Sequence, residues 1–391
     1  MKARNQKRYD HNEKPDDACT PKAMSISAVP LNQSIYNESM KDLKFVFVHG
    51  LSGWGSYDKR NKQMPYWGMR NGNLIGQLKE AGYDACSASV SPYGSAYDRA
   101  CELYAQLSGT VTDYGIRHSV IHAHPRFGRD FSGMPLIDRF DDDSRLVLIG
   151  HSFGGAAIRL FSQILSDGIE EEGSAFFQGN KGKRLFSIVT IASPMNGTTA
   201  YDLYEDPDFD PSSVKISLKE KFFARLMSGT SGPKDRIERS TDNAAYDMHI
   251  DNAFKMNEGI RTLKHVYYFS QPCCSTRKVD DDCHVPIESR TEPVYMKTSR
   301  IMGVYQGKTR YGFPVGRDWL ENDGLVNTFS AKAPLGAPSK TFDKNDIRKG
   351  TWNVFAAYKG DHMSLQGGLF HVNPVKDYYM ELLKMISSLE D

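Results

Sequence analysis

Short apolar runs alternate with longer amphipathic stretches along most of this chain. Runs of strand length lie at Phe45–Val48, Leu146–Ile149, Leu185–Ile191 and Val266–Phe269. Patterns with helical spacing lie at Leu74–Ala81, Ala96–Leu107, Ala156–Asp167 and Asp377–Leu389. Because strands and helices that alternate in this way form parallel sheets covered on both faces, we predict a mainly parallel central sheet flanked by helices, an α/β fold.

Two segments depart from this alternation. Residues 1–42 are polar and contain no apolar core of signal-peptide type, so we expect a loosely ordered N-terminal tail. The remaining residues, 43–391, are numerous enough for one large domain. Within them, the region of about 195–242 is charged and irregular except for an amphipathic piece at Leu218–Met227. That piece is either a lid over a binding site or an ordinary surface helix, and the pattern alone does not separate the two.

Composition narrows the classes of function. The 391 residues carry a formal net charge of +1, which gives no bulk attraction to nucleic acid or to an anionic membrane. No apolar run reaches the roughly 20 residues that cross a bilayer, so we expect no stable membrane insertion. We expect an extracellular protein whose secretion signal was removed before residue 1. The sequence leaves the oligomeric state open.

The six cysteines are scattered and do not form a disulfide framework. Cys86 and Cys101 lie in apolar patterns, so we expect them to be buried thiols. Cys273, Cys274 and Cys283 are close enough in sequence for a local disulfide or, with His284, for a metal site. Their spacing fits no common zinc signature, so thiols without a metal are the favoured interpretation and their pairing stays open.

A glycine-flanked serine follows the second of the predicted strands. Arg145–Ile149 leads into Gly150-His151-Ser152-Phe153-Gly154, and a helical pattern begins at Ala156. This order of strand, G-x-S-x-G and helix is typical of a nucleophile elbow, in which a sharp turn exposes the serine hydroxyl. The glycines let neighbouring segments approach, and the helix N-terminus favours negative charge near Ser152. An ordinary serine in a glycine-rich turn is the alternative, because the pentapeptide alone is only moderately specific.

A second glycine-rich loop supports the elbow interpretation. The strand at Phe45–Val48 ends in His49-Gly50-Leu51-Ser52-Gly53-Trp54-Gly55. In α/β-hydrolases, a loop of this kind after an early strand provides the second hydrogen-bond donor to the oxyanion. We therefore assign the oxyanion hole to the backbone N–H groups of Leu51 and Phe153.

A serine hydroxyl needs a base before it becomes a good nucleophile. In this fold an acid and then a histidine follow the serine along the chain. Asp323 lies on a tight loop that contains glycine, and only two histidines, His362 and His371, follow it. We predict a triad of Ser152, Asp323 and His362. The weaker alternatives are His371 as the base and Glu321 or Asp361 as the acid.

Several segments together resemble the thermoalkalophilic bacterial lipases, true-lipase family I.5, which are related to the staphylococcal lipases. The matching segments are His49–Gly55, Tyr97–Glu102, Asp113–Gly115 with Ala123–Arg129, Ser240–Asp242, and Trp319–Asn327. The resemblance extends from about Phe45 to the C-terminus, and this set of motifs is highly specific in combination. It implies that residues 43–391 form an α/β-hydrolase catalytic domain that hydrolyses carboxylic esters, and it agrees with the triad named above.

Three histidines, His118, His122 and His124, lie close together in an insertion at about 95–130. On a helix, His118 and His122 would share one face, as in many zinc pairs. The resemblance implies a different set, in which Asp98, His118, His124 and Asp242 hold one zinc ion and His122 is a neighbour. Two imidazoles and two carboxylates complete a tetrahedral site, so we expect the zinc to be structural. Without the resemblance, solvated surface histidines would be the favoured interpretation.

The chain departs from the related lipases in two places. The resemblance implies an acidic calcium ligand two residues after the catalytic histidine, where this chain has Ser364, and Gln366–Phe370 offers no carboxylate. Because calcium prefers carboxylate oxygens, we expect a calcium site that is weak or absent. The stretch Pro194–Asp242 is shorter than in the thermoalkalophilic lipases, which predicts a shortened lid and a more exposed active site.

We therefore predict a lipase or esterase that works through an acyl-enzyme intermediate and accepts a broad range of esters, with synthetic polyesters among them. We expect it to contact lipid or polymer interfaces transiently. A serine peptidase or an acyltransferase of the same fold is the first alternative. A zinc-stabilised binding protein without activity and a hydrolase that uses zinc as a Lewis acid are the others.

Overall fold

The computed structural model describes residues 43–218 and 241–390. The described strands are β1 (Leu43–Val48), β2 (Ala85–Ala88), β3 (Val111–Asp113), β4 (Phe127–Asp130), β5 (Arg145–His151), β6 (Leu185–Ile191), β7 (Tyr267–Gln271), β8 (Thr276–Asp280), β9 (Cys283–Pro286), β10 (Gly307–Lys308), β11 (Pro314–Val315), β12 (Ser339–Thr341) and β13 (Trp352–Val354). The described α-helices are α1 (Lys59–Gln63), α2 (Leu74–Glu80), α3 (Ala96–Ser108), α4 (Ile116–His122), α5 (Gly154–Asp167), α6 (Thr199–Asp202), α7 (Ala244–Met248), α8 (Ile250–Glu258), α9 (Met296–Met302) and α10 (Lys376–Ser387). Single 3-10 turns lie at Met69–Asn71, Gly182–Arg184, Pro211–Ser213 and Arg317–Trp319.

A seven-stranded sheet forms the centre of the fold, in the order β12-β13-β7-β6-β5-β1-β2. Every pair of neighbours in it is parallel. Phe47 of β1 pairs with Ile149 of β5, which pairs in turn with Val189 of β6. Because parallel strands end at the same edge, the loops after β1 and β5 meet there. The mainly parallel sheet predicted from the sequence is confirmed.

Alternate residues of the central strands enter two separate hydrophobic cores. On one face, Phe47 and Ile149 pack with Leu78 of α2 and Tyr379 of α10. On the other face, the neighbouring positions pack against α3 and α5; they include Val46, Leu148, Leu103 and Phe161. A strand that is buried on both faces has a continuous run of apolar residues in its sequence. These strands could therefore be identified from the sequence pattern.

The predicted elements match the observed ones closely at the centre of the sheet and less well at its edges. All four predicted strands and all four predicted helices are present, and their ends differ by two residues or fewer. The edge strands β2 and β12, and β13 beside β12, were missed because they are only three or four residues long, as in Ser339-Lys340-Thr341. Tertiary pairing rather than local pattern defines such strands.

Two predictions fall mostly outside the described residues. The N-terminal tail at residues 1–42 lies outside them entirely. The amphipathic piece at Leu218–Met227 lies outside them except for Leu218 itself. The lid therefore stays a prediction.

The five cysteines in the described ranges are all free thiols, so Cys273, Cys274 and Cys283 form no disulfide with one another. Cys86 and Cys101 are buried, as predicted. No helix within residues 43–218 or 241–390 combines the length and the apolar character that a membrane crossing requires.

Candidate active site and metal centre

Ser152 stands at a sharp turn between β5 and α5. Its backbone has a positive φ of 55°, and its N–H donates a 2.8 Å hydrogen bond to the carbonyl oxygen of Ile191. The two motif glycines are needed for close packing: a Cβ on Gly154 would lie 2.3 Å from the carbonyl oxygen of Val48, and one on Gly150 would lie 2.6 Å from the backbone of Gly154. The turn therefore has the cramped conformation that a nucleophile elbow requires.

The structure brings the three predicted triad residues into one line of hydrogen bonds. His362 Nε2 lies 2.8 Å from Ser152 Oγ, and His362 Nδ1 lies 2.9 Å from Asp323 Oδ2. The backbone N–H of His362 also donates to the carbonyl oxygen of Asp323 at 2.9 Å. Only 7% of Ser152, 4% of His362 and 1% of Asp323 is exposed. These distances allow one proton to pass from the hydroxyl to the imidazole, with the carboxylate fixing the ring.

Backbone hydrogen bonds hold the Asp323 carboxylate in place. Its second oxygen, Oδ1, accepts the N–H of Leu325 at 3.0 Å and of Val326 at 2.7 Å. The glycine-containing loop therefore orients the acid as well as carrying it.

The alternative acids and the alternative base lie elsewhere. The thiol of Cys274 lies 3.2 Å from Glu321 Oε1. Asp361 Oδ1 accepts the hydroxyl of Ser364 at 2.9 Å. His371 shares no hydrogen bond with Ser152, and its buried Nδ1 has no hydrogen-bond partner among the described residues.

Two backbone N–H groups are available beside the serine. Neither the N–H of Leu51 nor that of Phe153 donates to a protein acceptor within residues 43–218 and 241–390. Gly50 lets the loop after β1 approach the elbow, because a Cβ there would lie 2.6 Å from Ser152 Cβ. Free donors at the end of a sheet and at a helix N-terminus suit a developing oxyanion.

A buried arginine supports this loop, and sequence reasoning assigned it no role. Arg99 of α3 is completely buried and donates to the carbonyl oxygens of His49 at 3.1 Å and Gly50 at 2.8 Å. Its guanidinium carbon also lies 5.2 Å from the centre of the Phe153 ring. Burial lowers the pKa of Arg99 to about 10, so it remains a cation at neutral pH. Arg99 lies inside the matched segment Tyr97–Glu102, which was the available signal.

The four predicted metal ligands converge at one point. One ligand atom each from Asp98, His118, His124 and Asp242 lies within 4.8 Å of the others. His118 Nε2 is 3.1 Å from Asp98 Oδ1 and 3.4 Å from Asp242 Oδ1, and His124 Nε2 is 3.4 Å from Asp242 Oδ2. His122 is outside the set, although its ring centre is 4.4 Å from that of His118.

The donor chemistry of this cluster fits a metal ion. His124 Nδ1 lies 2.8 Å from the carbonyl oxygen of Pro125, which can only accept, so Nδ1 carries the proton. His124 Nε2 then has a free lone pair, and this buried atom has no hydrogen-bond partner among the described residues. A buried lone pair aimed at two carboxylates is unfavourable without a cation between them.

Two further acids hold the insertion in shape. Asp113 forms a bidentate pair with Arg126 at 2.8 and 2.7 Å, across the β3–β4 ribbon. Glu172 accepts the N–H groups of Ile116 and Arg117 at 2.8 Å each, at the first turn of α4. The segment that carries His118 and His124, helix α4 and the turn after it, is therefore anchored independently of any metal.

The segment after His362 is held by a buried carboxylate. Glu292 is completely buried, and its carboxylate accepts the N–H groups of Leu369, Phe370 and His371 at 2.6–3.0 Å. Its own N–H donates to Asp361 Oδ2. The N–H groups around the Glu292 carboxylate therefore stabilise a negative charge at this position and do not form a set of cation ligands. The expectation of a weak or absent calcium site stays a prediction.

Comparison with known proteins agrees with the motifs. The family model described as "Lipase-like, C-terminal domain" matches residues 41–211. Lipase 2 of Staphylococcus aureus is 29% identical over 355 residues, which cover 82% of this chain and 50% of that protein. The chain thus spans half the length of this relative.

Solved structures resemble the whole fold. EstA from Clostridium botulinum has a TM-score of 0.75 at 28% identity, covering 89% of this chain and 88% of that one. Staphylococcus hyicus lipase has a TM-score of 0.70 at 28% identity, covering 88% of this chain and 96% of that one. The resemblance to the staphylococcal lipases that the sequence motifs indicated is confirmed.

Proposed function

We propose that this chain, which resembles the staphylococcal lipases in sequence and in fold, hydrolyses carboxylic esters with Ser152 as nucleophile. The observation that carries the proposal is the unbroken line from Ser152 Oγ through His362 to Asp323, with separations of 2.8 and 2.9 Å. Free N–H donors at Leu51 and Phe153 support it, because an acyl-transfer site needs both a nucleophile and an oxyanion hole.

Ser152 Oγ attacks the ester carbonyl carbon while His362 Nε2 takes its proton. Asp323 stabilises the imidazolium and fixes its orientation. The N–H groups of Leu51 and Phe153 bind the oxyanion of the tetrahedral intermediate. Collapse of the intermediate breaks the ester bond, and His362 returns the proton to the departing alcohol. Water then attacks the acyl-enzyme with His362 as base, which releases the acid and restores Ser152.

We further propose that Asp98, His118, His124 and Asp242 hold a structural zinc ion. Two imidazole nitrogens and two carboxylate oxygens make a closed tetrahedral set, so the ion would act as a cross-link. It would join the insertion at about 95–130, which includes α3, to the segment before α7. Its effect would be on stability, because none of these four side chains belongs to the hydrogen-bond line at Ser152.

The substrate range and the setting of the enzyme are also proposals. Because the stretch Pro194–Asp242 is shorter than in the thermoalkalophilic lipases, we propose a broad range of esters that includes bulky ones and synthetic polyesters. We propose an extracellular enzyme that contacts lipid or polymer surfaces transiently. A sharp rise in rate as a short-chain ester passes its solubility limit would count against a small lid.

Assay of a matched ester and amide tests the proposal. We expect p-nitrophenyl butyrate to be turned over and the corresponding p-nitroanilide to be cleaved far more slowly. Faster cleavage of the anilide would favour a peptidase, and transfer to an added alcohol in preference to water would favour an acyltransferase. No turnover by protein that still binds one zinc ion would favour a binding protein.

A further inference from the structure

A chain of buried hydrogen bonds lies directly beneath the elbow, and the mechanism above does not use it. The N–H of Gly50 donates to Tyr66 Oη at 2.9 Å. Tyr66 Oη lies 2.7 Å from Nδ1 of His151. His151 Nε2 lies 2.8 Å from the backbone carbonyl oxygen of His362. Tyr66 is 4% exposed and His151 1%, so the chain is shielded from water.

The groups at the two ends of this hydrogen-bond chain determine where each proton along it lies. The carbonyl of His362 can only accept, so the proton of His151 sits on Nε2. Nδ1 of His151 then offers a lone pair, and the Tyr66 hydroxyl donates to it. The Tyr66 oxygen is thereby free to accept the N–H of Gly50. Each polar atom has one partner of the right kind, which a buried network needs in order to be rigid.

The neutral form of His151 is the one that fits. Burial, together with the nearby His362, lowers the pKa of His151 to about 3. At the other end of the hydrogen-bond chain, the Arg99 guanidinium donates to the Gly50 carbonyl. An imidazolium at His151 would direct a second N–H donor at Tyr66 Oη, in addition to the N–H of Gly50. The proton of the Tyr66 hydroxyl would then have no acceptor in this chain of hydrogen bonds. The imidazole of His151 therefore remains neutral at neutral pH.

This chain of hydrogen bonds joins three loops whose relative positions the proposed catalysis requires to be fixed. Gly50 immediately precedes Leu51, whose N–H is the proposed oxyanion donor. His151 immediately precedes Ser152. The carbonyl at the other end belongs to His362 itself, whose ring lies 5.0 Å from that of His151, centre to centre. A shift at any link thus displaces the donor, the nucleophile or the base relative to the other two.

We propose that Tyr66 and His151 are positioning residues for ester hydrolysis. They lock the loop after β1 (His49–Gly55, the oxyanion loop) and the loop of His362 to the nucleophile elbow through one directional chain of hydrogen bonds. Neither side chain touches the reacting atoms. They act by holding the backbone N–H of Leu51 and the ring of His362 in fixed positions relative to Ser152. This inference rests on the proposed function, because it concerns the same site.

Kinetics of Tyr66→Phe and of His151 variants test the proposal. Tyr66→Phe keeps the ring that packs against Trp54 and Trp67, and removes only the hydroxyl. Because small misplacements of catalytic groups cost about 100-fold in rate, we expect kcat for p-nitrophenyl butyrate to fall about 10- to 100-fold with KM changed less than about threefold. We expect His151→Leu to lose as much, and His151→Gln, which retains an N–H donor, to lose less.

A matched control separates positioning from general destabilisation. Tyr268 of β7 is also a buried tyrosine, and its hydroxyl accepts the N–H of Leu263 at 2.9 Å, away from Ser152. Tyr268→Phe should lower Tm about as much as Tyr66→Phe and leave kcat within about twofold of the wild type.

The double variant Tyr66→Phe/His151→Leu gives the sharpest result. If the hydrogen-bond chain acts as a single unit, kcat of the double variant is no lower than kcat of the more impaired single variant. Losses that multiply, or a kcat of Tyr66→Phe within twofold of the wild type, would overturn the proposal. Ester turnover by the wild type decides the proposed function separately, before any variant is compared.

A spectroscopic measurement on the wild type tests the proposal even if the variants fail to fold. Long-range nitrogen–proton correlation of the wild-type imidazoles at pH 7 should show His151 as a neutral ring protonated on Nε2. A proton on Nδ1, or on both nitrogens, would contradict the directional chain whatever the variants do.

Discussion

Asp98 and Arg99 are consecutive residues of α3 whose side chains serve two different sites. Asp98 Oδ1 lies 3.1 Å from His118 Nε2 in the metal cluster. Arg99 donates to the backbone carbonyls of His49 and Gly50, in the oxyanion loop. The first turns of one helix therefore join the proposed zinc site to the loop that would hold the substrate oxyanion, so a metal held there would be structurally linked to the proposed oxyanion donor.

Chelation of the metal should lower stability before it lowers activity. Removing the cation would remove a cross-link between α3 and the segment before α7, so we expect Tm to fall by several degrees and added zinc to restore it. The measurement is thermal unfolding with and without a chelator, together with the zinc content by elemental analysis.

The same experiment separates a structural from a catalytic metal. Asp242→Asn should bind less zinc and start from a lower Tm, whereas Asp143→Asn, at an exposed aspartate, should behave as the wild type. Loss of ester turnover at a temperature where the chelated protein remains folded would favour zinc as a Lewis acid.

Arg99→Met should reduce turnover with little effect on the metal. The change keeps a long side chain in the buried site but removes the guanidinium donors to the carbonyls of His49 and Gly50. We expect kcat to fall about 10-fold or more, because the loop that positions the N–H of Leu51 loses its anchor. Steady-state kinetics and zinc content measured on one preparation check this. An unchanged kcat would remove Arg99 from the account of the oxyanion loop.

Asp323→Asn should lower kcat by about four orders of magnitude, because an amide opposite Nδ1 favours the wrong tautomer of His362. Glu321→Gln is the matched control, since Glu321 lies two residues away and is within reach of the Cys274 thiol rather than of His362. We expect it to cost less than about tenfold. A much larger loss from Glu321→Gln than from Asp323→Asn would show that the acid is assigned to the wrong residue.

Stability should depend on pH through Asp361. Burial raises the pKa of this carboxyl to about 7, whereas an aspartate in an unfolded chain titrates near 4. Between those values the folded protein holds a proton that the unfolded chain has lost. The stability that this proton contributes is fully present below about pH 4 and is lost as the pH rises through about 7.

Asp361→Asn isolates this contribution. The wild type should lose unfolding free energy relative to the variant as the pH rises from about 5 to 8, in unfolding experiments at constant zinc. Asp143→Asn should show no such difference. A wild type that gains stability relative to Asp361→Asn over this range would mean that Glu292 and Ser364 stabilise the ionised form instead.

Local pattern was sufficient to predict the centre of this molecule. Strands such as β5 are apolar on both faces, and the turn at Ser152 needs glycines that only a few motifs contain. The acid was harder to assign from the sequence, since Glu321, Asp323 and Asp361 differ in their partners rather than in their spacing. The backbone donors of Leu325 and Val326 that orient Asp323 have no signature in the sequence.

The contacts of the supporting residues could not be predicted, for a physical reason, although Arg99 lies inside a matched segment. Tyr66, Arg99 and His151 are far apart in sequence or lie at variable motif positions, and they meet only because parallel strands end at one edge. His151 occupies an open position of the G-x-S-x-G motif, where any residue is allowed. Its role depends on Tyr66 and on the carbonyl of His362, and both contacts are long-range.

Turnover of p-nitrophenyl butyrate by Ser152→Ala, compared with the wild type at equal folded concentration, tests the central claim most directly. The account predicts that kcat falls by about five to six orders of magnitude while Tm and zinc content are unchanged, because the nucleophile alone is removed. A folded Ser152→Ala protein that retains a tenth or more of wild-type turnover would contradict it.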